Sequence, residues 1–478
     1  MGYHVQARGA GLRRTAIRAA AIGLALLLPL LSGCAGNGTL RATEGNPCPD
    51  RTAGHCETTD REVVVRDLLL RGSKGHVGLI LEPKEKAVVL ENVTLQGFGL
   101  GVLVQLEGCG TCRVEMRNVV IDNARVGIAI AGGEGDIVLE DVSIITLGGG
   151  EVRRLTMPDA EGNLTQEVPL YLNESYGLSI LDDSPGLALT VKDSRIFTHI
   201  PGLGVAMEGE VPLARLDIHG LEISGYRIGI ELHPASADFR RLTIGCIDEG
   251  AVLGTAFPNM AAFRGEDIQI IGCTGPNLGL ASFKSVHLRG LHVRGGTYGV
   301  YERAEDLLIE GFKIEDAGYG ILTDDLGFGG SSASYLNGIV SNATYAGIAA
   351  HHRQVVVENV TFRNNGRGWP DPNAWKFEDA PDDPTKYGGL VMRHEFLADN
   401  FQLAVDQVHG CSFEGNLPYG MVSLEPTDAT LNWWGSSDGP HVYYFDPAER
   451  VPSFSLGGHG DNVTAYATVV APFLSTPP

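Results

Sequence analysis

Four short phrases in the second half of the chain place ionisable side chains at matching positions. Gly299-Val300-Tyr301-Glu302-Arg303, Gly320-Ile321-Leu322-Thr323-Asp324, Gly347-Ile348-Ala349-Ala350-His351 and Gly389-Leu390-Val391-Met392-Arg393 each open on glycine and an aliphatic residue and end on a titratable one. Stacked as neighbouring strands about 4.8 Å apart, they set Arg303, Asp324, His351 and Arg393 in one column. Asp325, His352 and His394 fall in the next column, with Arg353 just beyond. Arginines pair with a carboxylate, while His or Asp moves a proton, so the column suits acid/base chemistry on an acidic sugar. Asp324, His351, Arg353, Arg393 and His394 are the catalytic candidates. Trp369, Trp375 and Tyr387 precede Arg393 among prolines and acidic residues and offer flat rings to sugar C–H faces; with Arg303 they are the binding candidates. The plain alternative is a row of solvated strand ends whose charges pair between neighbours, and a one-residue slip in the alignment dissolves the column.

What must position these side chains is a recurring phrase. ENVTLQGFGLGV at Glu91, RNVVIDNARVGI at Arg117, EDVSIITLGGG at Glu140, EGFKIEDAGYGI at Glu310 and ENVTFRNNGRG at Glu358 share a β-branched run, a polar turn and a glycine that opens a second run. The first apolar residues of the copies are Val93, Val119, Val142, Leu221, Leu291, Phe312, Ile339, Val360, Cys411 and Trp433, mostly about 21 to 27 residues apart. Repeats of short strands with no helical run between them predict a solenoid, in which stacked coils bury a core that one coil cannot bury alone.

The pattern resembles the right-handed parallel β-helix repeat proteins, the pectate-lyase-like superfold, over roughly residues 63–440. Asn432-Trp433-Trp434-Gly435-Ser436 followed by Gly439-Pro440 is similar to a phrase near the C-terminal end of such proteins. The resemblance implies an all-β, single-stranded right-handed parallel β-helix of about a dozen or more coils with terminal caps. It leaves function open, because lyases, hydrolases, epimerases, adhesins and binding scaffolds share this fold. Gly458-His459-Gly460 is similar to a polygalacturonase phrase but falls after the last repeat without its partner motifs, and reads as a turn. Asp182-Asp183, Asp324-Asp325 and Asp382-Asp383 would suit calcium, which pectate lyases hold, yet paired aspartates also form turns. No cofactor is certain. The metal is unknown: His351, His352 and His394 would suit one only by converging.

The N-terminal residues predict export. Arg13, Arg14 and Arg18 precede an apolar run from Ala19 to Leu31, and Leu31-Ser32-Gly33-Cys34 resembles a prokaryotic lipobox. Residues 1–33 read as a lipoprotein signal peptide, Cys34 as the acylated residue, 34–60 as tether and N-terminal cap, 61–440 as the β-helix and 441–478 as a C-terminal cap or tail. Insertions fall near 148–175 and 367–388. The expected location is extracytoplasmic, anchored to the envelope, and the outer membrane in a Gram-negative cell. Cysteine usage fits an oxidising compartment. Cys48 and Cys56 flank a short polar loop, and Cys246 and Cys273 lie one coil apart, so disulfides 48–56 and 246–273 are expected. Cys109 and Cys112 are left as a disulfide or a redox pair, and Cys411 as a small buried hydrophobe.

A net charge of −22 over 478 residues argues against nucleic acid as partner. Three functions from different classes remain. The leading one is a lipid-anchored scaffold that binds polysaccharide or another cell-envelope glycan along the coil flank. A polysaccharide lyase, hydrolase or epimerase acting on acidic sugars is the second, and an adhesin or structural spacer the third.

Overall fold

A computed structural model describes residues 54–57, 63–72, 74, 77–83, 87–106, 109, 112–147, 155–158, 164–168, 175–181, 186–198, 202–207, 213–254, 262–323, 332–350, 354–368, 386–392, 405–446 and 451–478. Among these the chain is all-β, with no α-helix, and it divides into two compact units, Met1–Pro234 and Ala235–Pro478. Parallel strands dominate both, in an arrangement compatible with a β-solenoid.

In the first unit the strands Val63–Arg71, Val88–Gln96, Cys112–Ala124, Gly135–Thr146, Leu187–Thr198 and Arg215–Leu232 pair in parallel, each with the next. A second parallel series runs through Val77–Glu82, Leu100–Leu106, Val126–Gly133, Ser175–Ile180 and Gly202–Met207. Inward residues repeat in register. Val65, Leu90, Met116, Leu139, Val191 and Ile218 form one buried column, each worth roughly 1.5–3 kcal/mol of burial. Ser175–Ile180 and Gly202–Met207 of the second series are buried on both faces, which fits their largely apolar sequences. Within the first expected insertion, Leu155–Pro158 and Leu164–Val168 form an antiparallel hairpin.

The long strands bend at residues of positive φ. Asp67, Asn92, Asn118, Asp141 and Asp193 all lie between 42° and 59°, and the register stacks them on one another. Asp and Asn tolerate this left-handed conformation better than other non-glycine residues, and their side chains link the rungs. Asn118 donates to Asn92 at 2.8 Å and Asn92 donates to Asp67 at 3.0 Å. Beside the bend, Arg66 pairs with Glu91 and Arg117 with Glu140. Exposed pairs contribute little energy, and the register holds each arginine beside a glutamate of the next strand.

The second unit repeats the scheme through Ser236–Gly254, Ala262–Ile271, Pro276–Arg294, Tyr298–Glu315, Ser332–Ser341 and Gln354–Arg363. Its second series ends with Tyr319–Thr323, Ala346–Ala350, Gly388–Met392, Met421–Asp428 and Gly460–Val469. Cys246 and Cys273 are joined by a disulfide, as expected, and so are Cys109 and Cys112 in the first unit. Cys48 lies outside the described residues, as does the side chain of Cys56. Cys411 is buried, and burial pushes its thiol up to about 12.

Two anchors of the sequence alignment are corrected by one residue. Leu336 pairs with Glu310 and Ile339 with Lys313, so Gly338 stands opposite Phe312 and Ile339 points outward. The Phe312 ring occupies the space a side chain at 338 would need. Likewise Ser412 stands opposite Trp433, which puts Asn432 rather than Trp433 in the inward column. Asn432 is fully buried, accepts from the Cys411 N–H at 2.8 Å and donates to the Val408 carbonyl at 2.6 Å. The polar amide displaced the aromatic because it satisfies backbone groups that an indole would leave unpaired.

Candidate functional site

The register supports the alignment of the four charged phrases as far as it is described. Val300, Ile321, Ile348 and Leu390 stack inward, and Tyr301, Leu322, Ala349 and Val391 stack on the opposite face. Of the proposed fifth positions only Arg303 is described. Its guanidinium sits 5.5 Å from the centre of the Tyr301 ring. Asp324, His351, Arg353, Arg393 and His394 lie outside the described residues, as do Trp369, Trp375 and Cys34. Tyr387 is described and buried. It packs against Tyr345 at the end of a row in which Tyr298, Tyr319 and Tyr345 stack at 5.9 and 4.9 Å. Of these rings Tyr387 is buried, Tyr298 and Tyr319 are half-buried and Tyr345 is exposed.

A different part of the second unit forms a cleft of about 750 Å³, lined by Glu414, Trp433, His441, Tyr443, His459 and Asp461 among others. The elements that build it are the strand Ser412–Glu414 and its following turn, the Trp433–Gly435 segment, the strand Pro440–Asp446 and the start of Gly460–Val469. The outward turn of Trp433, half-buried, brings an indole to the cleft. Its neighbour Trp434 turns inward and stacks on Phe413 at 4.5 Å, which stacks on Phe362 at 5.0 Å. That aromatic column meets the cleft at Trp434.

Asp461 is positioned by an internal amide ladder. Asn365 donates through Nδ2 to the Val340 carbonyl and to Asn416 Oδ1, and Asn416 donates through Nδ2 to the Phe362 carbonyl and to Asp461 Oδ2. Asp461 Oδ2 also accepts from the Asn416 N–H at 3.0 Å, and Oδ1 accepts from the Gly415 N–H at 2.9 Å. Gly460 makes this fit possible. A Cβ there would stand 2.2 Å from the Trp434 carbonyl oxygen, and without one the Asp461 N–H reaches that oxygen at 2.6 Å. Burial raises the Asp461 carboxyl above its ordinary range, and the nearby Glu414 charge adds to the rise against the pull of the N–H donors. Glu414 is itself engaged by Arg363 at 3.0 Å and by the Ser412 hydroxyl at 2.9 Å.

On the other side of Gly460, His459 contacts Asp438 through Nδ1. A carboxylate only accepts hydrogen bonds, so Nδ1 carries the proton and Nε2 is turned away from the pair. The carboxylate raises the imidazole above its ordinary value. Asp438 is held down to about 2 by the Ser436 hydroxyl and then by His459. The sequence reading of Gly458-His459-Gly460 as a turn is correct for the backbone, which bends at His459, but missed its place in the cleft. The signal available was its spacing: His459 and Asp461 flank a glycine that a crowded strand entry requires.

Among the described residues no group of three or more His, Cys, Asp or Glu side chains is placed to hold a metal. The cleft offers an indole, two imidazoles, two carboxylates and amides, a set suited to hydrogen-bonding a hydroxylated ligand while one face packs on a flat ring. No protein-family model matches this chain, and no curated protein matches it.

Proposed function

We propose that this chain is a lipid-anchored extracytoplasmic protein whose units are right-handed parallel β-helices, and that it binds a polysaccharide or other cell-envelope glycan in the cleft of its second unit. The observation that carries the reading is the cleft itself, in which the outward indole of Trp433 lies among His441, Tyr443, Glu414 and Asp461. Sugars present apolar C–H faces and polar rims, and this lining offers a partner to each. The two disulfides fit an oxidising, extracytoplasmic compartment, and the Leu31-Ser32-Gly33-Cys34 phrase supports the anchor.

Titration calorimetry of the intact chain against a panel of envelope and plant polysaccharides tests the reading. Binding that weakens about tenfold or more in Trp433→Ala, the loss expected of a central aromatic contact, supports it. Absence of binding across the panel, or binding indifferent to Trp433, removes it. Anchoring is checked separately: metabolic labelling with a fatty acid should mark the chain and be lost in Cys34→Ser.

A further inference from the structure

His459 and Asp461 flank Gly460 and both line the cleft, yet their surroundings prepare them for opposite proton transfers. Asp461 Oδ1 accepts one N–H and Oδ2 accepts two. A carboxylate offers about four acceptor positions, so one position, on Oδ1, is uncommitted among the described contacts. Every partner of Asp461 among the described residues is a donor, from Gly415 or Asn416. His459 is the converse, a ring whose Nδ1 is committed to Asp438 and whose Nε2 has no described partner.

We propose that the cleft hydrolyses the glycan it binds, with Asp461 as general base, the His459 imidazolium as general acid, and a neutral sugar as substrate. The inference rests on the glycan-binding reading above. Asp461 takes a proton from water through the uncommitted position on Oδ1, and the water oxygen bonds to the anomeric carbon. The glycosidic C–O bond breaks, its electron pair passes to the leaving oxygen, and that oxygen takes the proton from His459 Nε2. Solvent then removes the proton from Asp461 and returns one to His459, so water is the only co-reactant. Asp438 is a positioning residue, which fixes the tautomer and supports the charge on the imidazole.

The protonation states agree with these roles. Burial makes Asp461 a stronger base than an ordinary carboxylate, and Asp438 keeps His459 protonated to higher pH than a free histidine. Both groups are correctly charged between their two titrations, so the rate should rise with pH through the Asp461 ionisation and fall through that of His459. The other groups facing them are Glu414 with its partner Arg363, His441 and Tyr443 on the Asp461 side, and Asp438 with Ser436 on the His459 side. Glu414 is paired with Arg363, and the Asp461 carboxylate at the water-activating end disfavours a uronate there, since like charges brought together lose affinity.

The test measures binding and cleavage side by side on the intact chain, with neutral glucans, mannans and xylans and with polygalacturonate. New reducing ends on a neutral polymer, one solvent oxygen incorporated per cleavage from labelled water, and no unsaturated product are expected. His459→Ala should lower turnover about 100-fold or more, the usual scale of general acid catalysis, while binding persists. Asp461→Asn sets an amide N–H₂ against N–H donors and can fail to fold, so Asp438→Ala serves as the second variant and should move the alkaline limb of the pH profile to lower pH. Binding without new reducing ends, unsaturated products, cleavage that survives His459→Ala, or an unmoved alkaline limb would each overturn the catalytic inference and leave the binding reading intact. No binding by any polymer would remove both.

Discussion

His459 and Cys411 show how far the surroundings of a single side chain decide its chemistry. Asp438 raises the folded-state pKa of His459 above its ordinary value. Stability from that pair is therefore fully present between the unfolded pKa values of Asp438 and His459; it fades as pH rises through the folded histidine pKa and as pH falls through the depressed Asp438 one. Replacing Asp438 with Asn should return the His459 titration toward about 6.5, a shift read directly from its imidazole proton resonances against pH. Cys411 is the opposite case. Burial pushes its thiol up to about 12, with smaller effects from its backbone neighbours and Glu358, so almost no thiolate exists at neutral pH. Native protein should resist iodoacetamide at Cys411 at pH 8 and react there only after unfolding, with mass spectrometry of the alkylated peptide as the readout.

At the scale of the element, the asparagine and aspartate bends do the most to organise the long strands. Asn118 combines a φ of 51° with a side-chain bond to Asn92. Substituting Asn118→Val places a β-branched residue in the left-handed region and severs that rung, at an expected cost of about 2–3 kcal/mol. Asn118→Gly keeps the backbone free and loses only the rung, so about 1 kcal/mol or less is expected. Denaturant midpoints of the two variants distinguish a conformational role from a hydrogen-bonding one. These bends were legible as the polar turn of each repeat, because Asn and Asp are the residues that such a conformation accepts. The register was less legible. Ile339 and Trp433 both looked like inward anchors, since apolar side chains mark the core, yet Gly338 made room for the Phe312 ring and Asn432 satisfied the Cys411 N–H.

For the whole molecule, the paired cysteines agree with an oxidising, extracytoplasmic compartment and with a fold maintained by burial and covalent links. The Cys246–Cys273 bridge spans 27 residues in sequence, and loop-closure arguments give about 3–4 kcal/mol for a link of that length. The double variant Cys246→Ala, Cys273→Ala should lower the stability of the second unit on that scale, seen as an earlier thermal transition that added reductant no longer moves. An unchanged transition would show that the parallel ladder around residues 246 and 273 suffices without the bridge.

Sequence alone determined the class of fold and much of its grammar. The β-branched runs, the polar bends and the glycine-aliphatic openings act over a few residues, and each constrains its own backbone wherever it sits. It also paired Cys246 with Cys273, because one coil of sequence equals one strand of separation in space. The tertiary structure alone assembled the cleft. Glu414, Trp433, His441, His459 and Asp461 come from separate passes and a closing strand, and their meeting depends on a one-residue register choice and on a glycine small enough to enter between Trp434 and Gly439. A strand's side chains change face with each residue, so no local pattern distinguishes an indole that enters the core, as Trp434 does, from one that lines the cleft, as Trp433 does.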